Sequence, residues 1–181
     1  RGTPPIDLHN PVAIHDIENL IDFMAFENYI RQLSRNDLFG STAFAFTIRG
    51  IAHYHATMSP FEFYSVLTDV AEIISDTLGD GQFLMSYAGN GTFVCITEAG
   101  WQPDMKALGL SVNLTLAKTE LFDNQGKRIE PRVCAGNAIR LMWKTSATVM
   151  DAISAAHASS EESVAAHEHA HKNAWQIGLT A

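Results

Sequence analysis

Two apolar runs flank Gly89-Asn90-Gly91 in the middle of the chain, within FLMSYAGNGTFVCIT, residues 83–97. Phe83, Met85 and Tyr87 alternate in the first run, and residues 92–97 are β-branched, apolar or aromatic. An Asn-Gly pair between such runs predicts a β-hairpin, because a tight primed turn needs positive φ at its central residues. The expectation is an antiparallel pair in the middle of a sheet, with its tip at the rim. Around it, Ile17, Leu20, Ile21, Met24, Phe26 and Tyr29 recur near helical spacing and predict a core-facing helix over 16–33. Residues 34–41 read as a loop, with Asn36, Asp37 and Gly40 as breakers. Residues 42–48 read as a buried strand, and 49–59 as less regular.

A long helix is predicted over 60–78, with Ser59 as N-cap and Pro60 in its first turn. Its apolar stripe runs from Phe63 through Val66, Leu67, Val70, Ile73 and Ile74 to Leu78, and Gly79 and Gly81 end it. A short helix is expected over 101–107. Alternating Leu110, Val112, Leu114 and Leu116 predict a strand over 110–119. Asp123-Asn124-Gln125-Gly126 reads as a turn, 129–139 as a returning strand, and 146–158 and 159–175 as two helical pieces. The order predicts an α+β fold with a central, mostly antiparallel sheet and helices packed on it. The domain organisation read from the chain is an arm or linker over 1–12, one domain over 13–158 and a terminal helix or tail over 159–181. Pro4, Pro5 and Pro11 mark the arm.

Composition narrows the function. With 181 residues and 46% apolar content, the chain suits one globular domain. It begins with Arg and reads as an excised domain without a signal peptide. No apolar run is long enough for a membrane span, and none of these residues suggests membrane contact. A formal charge of −8 argues against a nucleic-acid partner. Cys95 and Cys134 lie in strand-like runs and read as buried free thiols in a reducing compartment.

The element order and apolar anchors resemble the GGDEF domain family, whose members make cyclic di-GMP from two GTP. The resemblance covers residues 16–158. HDIENLIDFMAFENYI (15–30) is similar to the family's D-x-L-T-G-L-x-N-R-x-x-F opening, with Asp22 at its Asn and Phe23 at its Arg. FTIRGIAHYHATMSPFEFYSVL (46–67) is similar to D-I-D-x-F-K-x-I-N-D-x-x-G-H-x-x-G-D-x-x-L, and GNGTF (89–93) falls on the signature hairpin. The resemblance puts the family's first metal-binding Asp on Thr47, its guanine-reading Asn and Asp on His55 and Tyr64, and the signature's acidic pair on Gly91 and Thr92. The tip is then Gly89, Asn90, Gly91 and Thr92, with no carboxylate. Mg²⁺ wants carboxylate and phosphate oxygens, which a threonine and a glycine do not replace. The family's late phosphate-holding Lys and Arg fall near 156–160, which reads AHASS, and the R-x-x-D inhibitory motif is missing, since 76–86 holds no Arg.

The resemblance therefore implies a kept fold with a lost active site: a catalytically inactive, cytoplasmic, bacterial signalling module that needs no cofactor. It implies a protein partner or a fused EAL-type or sensor domain, and allows a homodimer. The alternatives are a GTP or cyclic di-GMP sensor, with a cleft lined by His53, His55, Tyr64 and Asn90, and an atypical diguanylate cyclase. Phe61, Phe63, Tyr64 and Trp101 are candidates for a partner patch. Glu18, Asp22 and Glu27 read as a solvated face, and Lys118, Lys127, Arg128 and Arg132 as solvated turn charges or a seat for an acidic partner. His167-Glu168-His169-Ala170-His171 matches H-E-x-x-H, so His167 and His171 are weak zinc candidates, lacking a third ligand in the ten residues that follow.

Overall fold

The computed structural model describes residues 6–33, 39–79, 82–141 and 146–180, without the side chains of 146–148 and 174–180. The expected breakers Asn36, Asp37 and Gly81 lie outside the described residues. The elements are α1 (Phe23–Gln32), β1 (Thr42–Ile48), α2 (Ile51–Thr57), α3 (Pro60–Leu78), β2 (Phe83–Gly89), β3 (Thr92–Thr97), α4 (Met105–Lys118), β4 (Leu121–Phe122), β5 (Arg128–Ile129), β6 (Val133–Ala135), β7 (Ile139–Arg140) and α5 (Ser146–Thr180). The main sheet runs β2-β3-β1-β6, with β7 also on β1, and every pairing of these strands is antiparallel. Strands β4 and β5 form a separate small ribbon across the predicted 123–126 turn.

The pleat divides the core in two. On β1, Phe44, Phe46 and Ile48 face α3 and α4, while Ala43 and Ala45 face α1 and α5. On β2 and β3, Phe83, Met85, Tyr87, Phe93 and Cys95 join the first cluster; Val94 and Ile96 join the second. The alanines of β1 leave room for α5 to approach the strand closely. Helix α3 forms as its stripe predicts. Ser59 caps it in a reciprocal capping box with Glu62, and Gly79 ends it at φ 69°.

The structure departs from the sequence reading in several places. The hairpin is β2–β3, but β2 is an edge strand, covered by 19–21, where Ile21 N–H donates to the Met85 carbonyl at 3.0 Å. The first helix begins at Phe23, not near 16, because Asp16 and Asn19 take left-handed φ of 67° and 64°. It buries Phe26 and Ile30, whereas Met24 and Tyr29 are largely exposed. Residues 51–57 are helical, and the short helix expected over 101–107 starts only at Met105. The expected strand over 110–119 is part of α4: Val112 and Leu116, one turn apart, are buried, while Leu110 and Leu114 face outward. The single strand expected over 129–139 is three short ones, and the two terminal helical pieces are one 35-residue helix with no break at 158–159. Both cysteines are buried and free.

Candidate functional site

Three hydroxyls meet where the resemblance puts the metal. Thr47 lies on the α5-facing side of β1, directly across from Thr92 on β3. Thr47 Oγ1 is 2.7 Å from Thr92 Oγ1 and 2.5 Å from Ser160 Oγ on α5. All three residues are buried. Ser160 Oγ is also 2.8 Å from the His157 carbonyl, to which it donates, so it accepts from Thr47. Thr47 then receives from Thr92, and the chain of hydroxyls is satisfied internally. Close packing holds the helix there. A Cβ on Gly136 would stand 2.6 Å from the Ser160 backbone nitrogen and 3.1 Å from the Ala156 carbonyl oxygen.

This donor set does not fit a hard dication, which would need anionic oxygens in place of mutually bonded neutral hydroxyls. Among the described residues no group of three His, Cys, Asp or Glu is arranged to hold a metal. The nearest ionisable pair on α5 is His157 and Glu161, with His157 Nε2 3.1 Å from Glu161 Oε1. Burial holds the His157 pKa below its ordinary value, against the opposing pull of Glu161.

The hairpin tip is shaped by its backbone. Gly89, Asn90 and Gly91 have φ of 94°, 54° and 71°. Gly91 N–H donates to Tyr87 Oη at 2.9 Å, and a Cβ at Gly91 would lie 2.7 Å from Ile51 Cγ1 on α2. Burial pushes the Tyr87 phenol up to about 12, the Gly91 N–H opposing it. Cys95, buried in the same face, is also raised by burial and is not a reactive thiol.

His55 and Tyr64 stand on α2 and α3. His55 packs edge-on against Phe63 at 5.2 Å, and its Nε2 bonds the Ile6 carbonyl. Tyr64 Oη accepts from His15 N–H at 3.3 Å. Asn90 N–H donates to the Leu8 carbonyl at 2.8 Å, and Asn90 Oδ1 is 2.7 Å from His9 Nδ1. Residues 6–15, expected as arm and helix approach, thus run across the cleft between α2, α3 and the tip, touching His55, Tyr64 and Asn90. His53 is exposed and stands two residues from His55 on α2.

The remaining candidates scatter. Phe63 is core and Trp101 packs edge-on to Phe44 at 6.2 Å, leaving Phe61 as the largely exposed member of the proposed patch. Arg128 bonds the Ala117 carbonyl at 3.3 Å and lies 3.9 Å from Glu130, away from the hydroxyl cluster. His167 and His171 sit on one exposed face of α5, rings 6.4 Å apart. Sequence reasoning named Thr47, Thr92 and the 156–160 segment but not Ser160 as their partner, and it named an arm over 1–12 but not its docking. The even-numbered apolar positions Ile6, Leu8, Val12 and Ile14 were the available signal.

A three-layer α/β/α arrangement on an antiparallel sheet, with a hairpin tip beside the end of the central strand, defines the class. Among solved structures, the chain is similar to the GGDEF domain of FimX from Pseudomonas aeruginosa (15% identity, 80% of this chain and 89% of that one, TM-score 0.62). It is similar to the GGDEF domain of DgcB from Caulobacter crescentus in complex with c-di-GMP (14% identity, 90% and 93%, TM-score 0.63). It is also similar to the diguanylate cyclase SiaD in complex with its activator SiaC, from Pseudomonas aeruginosa (11% identity, 80% and 56%, TM-score 0.62). No protein-family model matches the chain, and no curated protein matches it. The chain has the GGDEF-domain fold. Among the described residues no helix is long and apolar enough to cross a membrane.

Proposed function

We propose that this chain is a catalytically inactive GGDEF-fold module that serves as a regulatory or protein-interaction domain in a bacterial, cytoplasmic cyclic di-GMP signalling protein. The observation that carries the reading is the Thr47–Thr92–Ser160 hydroxyl cluster. Phosphoryl transfer needs charge stabilisation at the transferring group, and neutral hydroxyls bonded to one another provide no clamp for it. The arm across His55, Tyr64 and Asn90 supports the same reading, because it fills the cleft a base would need.

What survives is a folded surface that can be bound. SiaD is seen with a protein activator, and a partner protein, a fused EAL-type domain or a second copy would serve this chain in the same sense. The test is calorimetry with GTP plus Mg²⁺ and then with cyclic di-GMP, together with a product assay. No heat and no product is the expected result. Saturable binding without product would move the reading to a nucleotide sensor. Cyclic di-GMP formation would overturn it.

A further inference from the structure

We propose that the face between α2, the start of α3 and the hairpin tip is a groove for extended peptide, occupied in cis by residues 6–15, of which 6–12 act as a detachable latch. The inference rests on the interaction-module reading and names its surface and occupant.

The arm is held mainly through its own backbone. The Ile6 carbonyl bonds His55 Nε2, the Leu8 carbonyl accepts from Asn90 N–H at 2.8 Å, and His15 N–H donates to Tyr64 Oη at 3.3 Å. One side-chain bond, His9 Nδ1 to Asn90 Oδ1 at 2.7 Å, fixes the register. Ile6, Leu8 and Val12 seat half-buried against the core. Asp7, His9, Asn10 and Pro11 are exposed. Main-chain bonds with apolar seats at alternate positions are how a groove reads an extended peptide. The tip is built to admit this backbone: any Cβ at Gly89 would collide with the His9 carbonyl.

The latch has an anchored end and a weak end. Ile14 is buried in the core, so the chain stays fixed there when the rest lifts. Residues 6–12 contribute no strand pairing and no fully buried side chain, which places them at the low-stability end of the fold. Lifting them frees His55 and Asn90 together, while Tyr64 stays bonded to His15, and bares the apolar seats for a partner's extended segment.

The experiment uses the full chain and a labelled synthetic peptide of residues 6–12, followed by fluorescence anisotropy. Leu8→Asp puts a charge in an apolar seat and undocks the arm. The peptide is expected to bind the Leu8→Asp chain saturably and the unaltered chain roughly tenfold or more weakly, since the tethered arm competes at high effective concentration. Binding to neither chain, or equally to both, overturns the proposal. Amide exchange gives an independent readout that needs no variant. Asn90 is expected to exchange through local opening, insensitive to low urea, while Cys95 in β3 exchanges with global unfolding. Asn90 exchanging together with Cys95 would make the arm a fixed part of the core. His9→Ala, which leaves every apolar seat intact, is expected to speed exchange at Asn90 but not at Cys95. Neither readout involves GTP, so failure here leaves the inactive-module reading to its own assay.

Discussion

Thr47 Oγ1 and Ser160 Oγ stand 2.5 Å apart, joining the central strand to the long terminal helix across 113 positions of sequence. The contact ties a hydroxyl of α5 to the paired threonines of β1 and β3. Removing one member leaves the others buried and short of partners. Thr47→Val keeps the shape but strips Thr92 of its acceptor and Ser160 of its donor. The expected cost is about 1–3 kcal/mol, the penalty for burying an unsatisfied polar group. Ser160→Ala alone should cost less, and the double variant should fall short of the sum by about 0.5 kcal/mol or more, read from urea unfolding. Strict additivity would mean that the two hydroxyls do not interact.

A carboxylate at Thr47 tests the site's chemistry directly. Thr47→Asp places an anion among the buried hydroxyls of Thr92 and Ser160, while the cation just beyond the strand, Arg49, is engaged by Cys134 Sγ at 3.1 Å, across the strand pair from Thr47. A buried unpaired charge costs about 3–5 kcal/mol. The melting temperature is expected to drop sharply and to be unmoved by millimolar Mg²⁺, because Ser160 still fills the ligand space. Recovery on adding Mg²⁺ would show that the cluster is a metal site lacking one ligand.

His157 makes the packing of α5 pH-sensitive. Its folded pKa is held below the ordinary 6.5 by burial, with Glu161 pulling the other way. The unfolded chain therefore takes up this proton first as pH falls. Stability from this group is full above 6.5 and declines below it, towards the lower folded value. Urea midpoints should fall between pH 7.5 and 5.5, and His157→Gln should flatten that part of the profile. An unchanged slope in the variant would assign the acid sensitivity to other groups.

Tyr87 sets the opposite limit. Its phenol is pushed up to about 12 from an ordinary 10.0, so between these values the unfolded chain loses a proton the folded chain keeps. Stability is full below pH 10 and falls as pH rises towards 12. Tyr87→Phe should remove this slope at a cost near 1 kcal/mol for the lost bond to Gly91 N–H. Absorbance of tyrosinate during alkaline titration separates Tyr87, titrating with unfolding, from exposed tyrosines.

How much of this was legible in sequence depends on how local the signal is. Asn90-Gly91 announced its turn, and Ser59-Pro60 announced α3, because both are set by residues in contact along the chain. Thr47 and Thr92 are cross-strand partners, and the strand runs that hold them were legible from their spacing. Ser160 was not visible as their partner. Its role depends on α5 lying against β1, a packing decided by Ala43, Ala45 and Gly136 rather than by Ser160 itself. The prolines marked an arm, but its docking rests on the spaced apolar positions Ile6, Leu8, Val12 and Ile14, whose alternation the polar Asn10 breaks.

The misread segment at 110–119 supplies the last test. Leu110, Val112, Leu114 and Leu116 alternate as a strand would, but in α4 positions 112 and 116 share a face and 110 and 114 lie away from it. A strand would bury all four or expose all four. The helix predicts a split: Val112→Asp and Leu116→Asp each put a charge into the core shared with α3, costing roughly 3 kcal/mol or more. Leu110→Asp and Leu114→Asp, at 63% and 53% exposure, should change stability by about 0.5 kcal/mol or less. Four urea curves decide it. Equal destabilisation at all four would restore the strand. Strong effects at 112 and 116 only would show that neighbours one turn apart, rather than alternate ones, face the core. If Leu110→Asp and Leu114→Asp instead proved costly and raised the fraction of monomer, that face would be covered by a second copy, and the search for a partner would begin on α4.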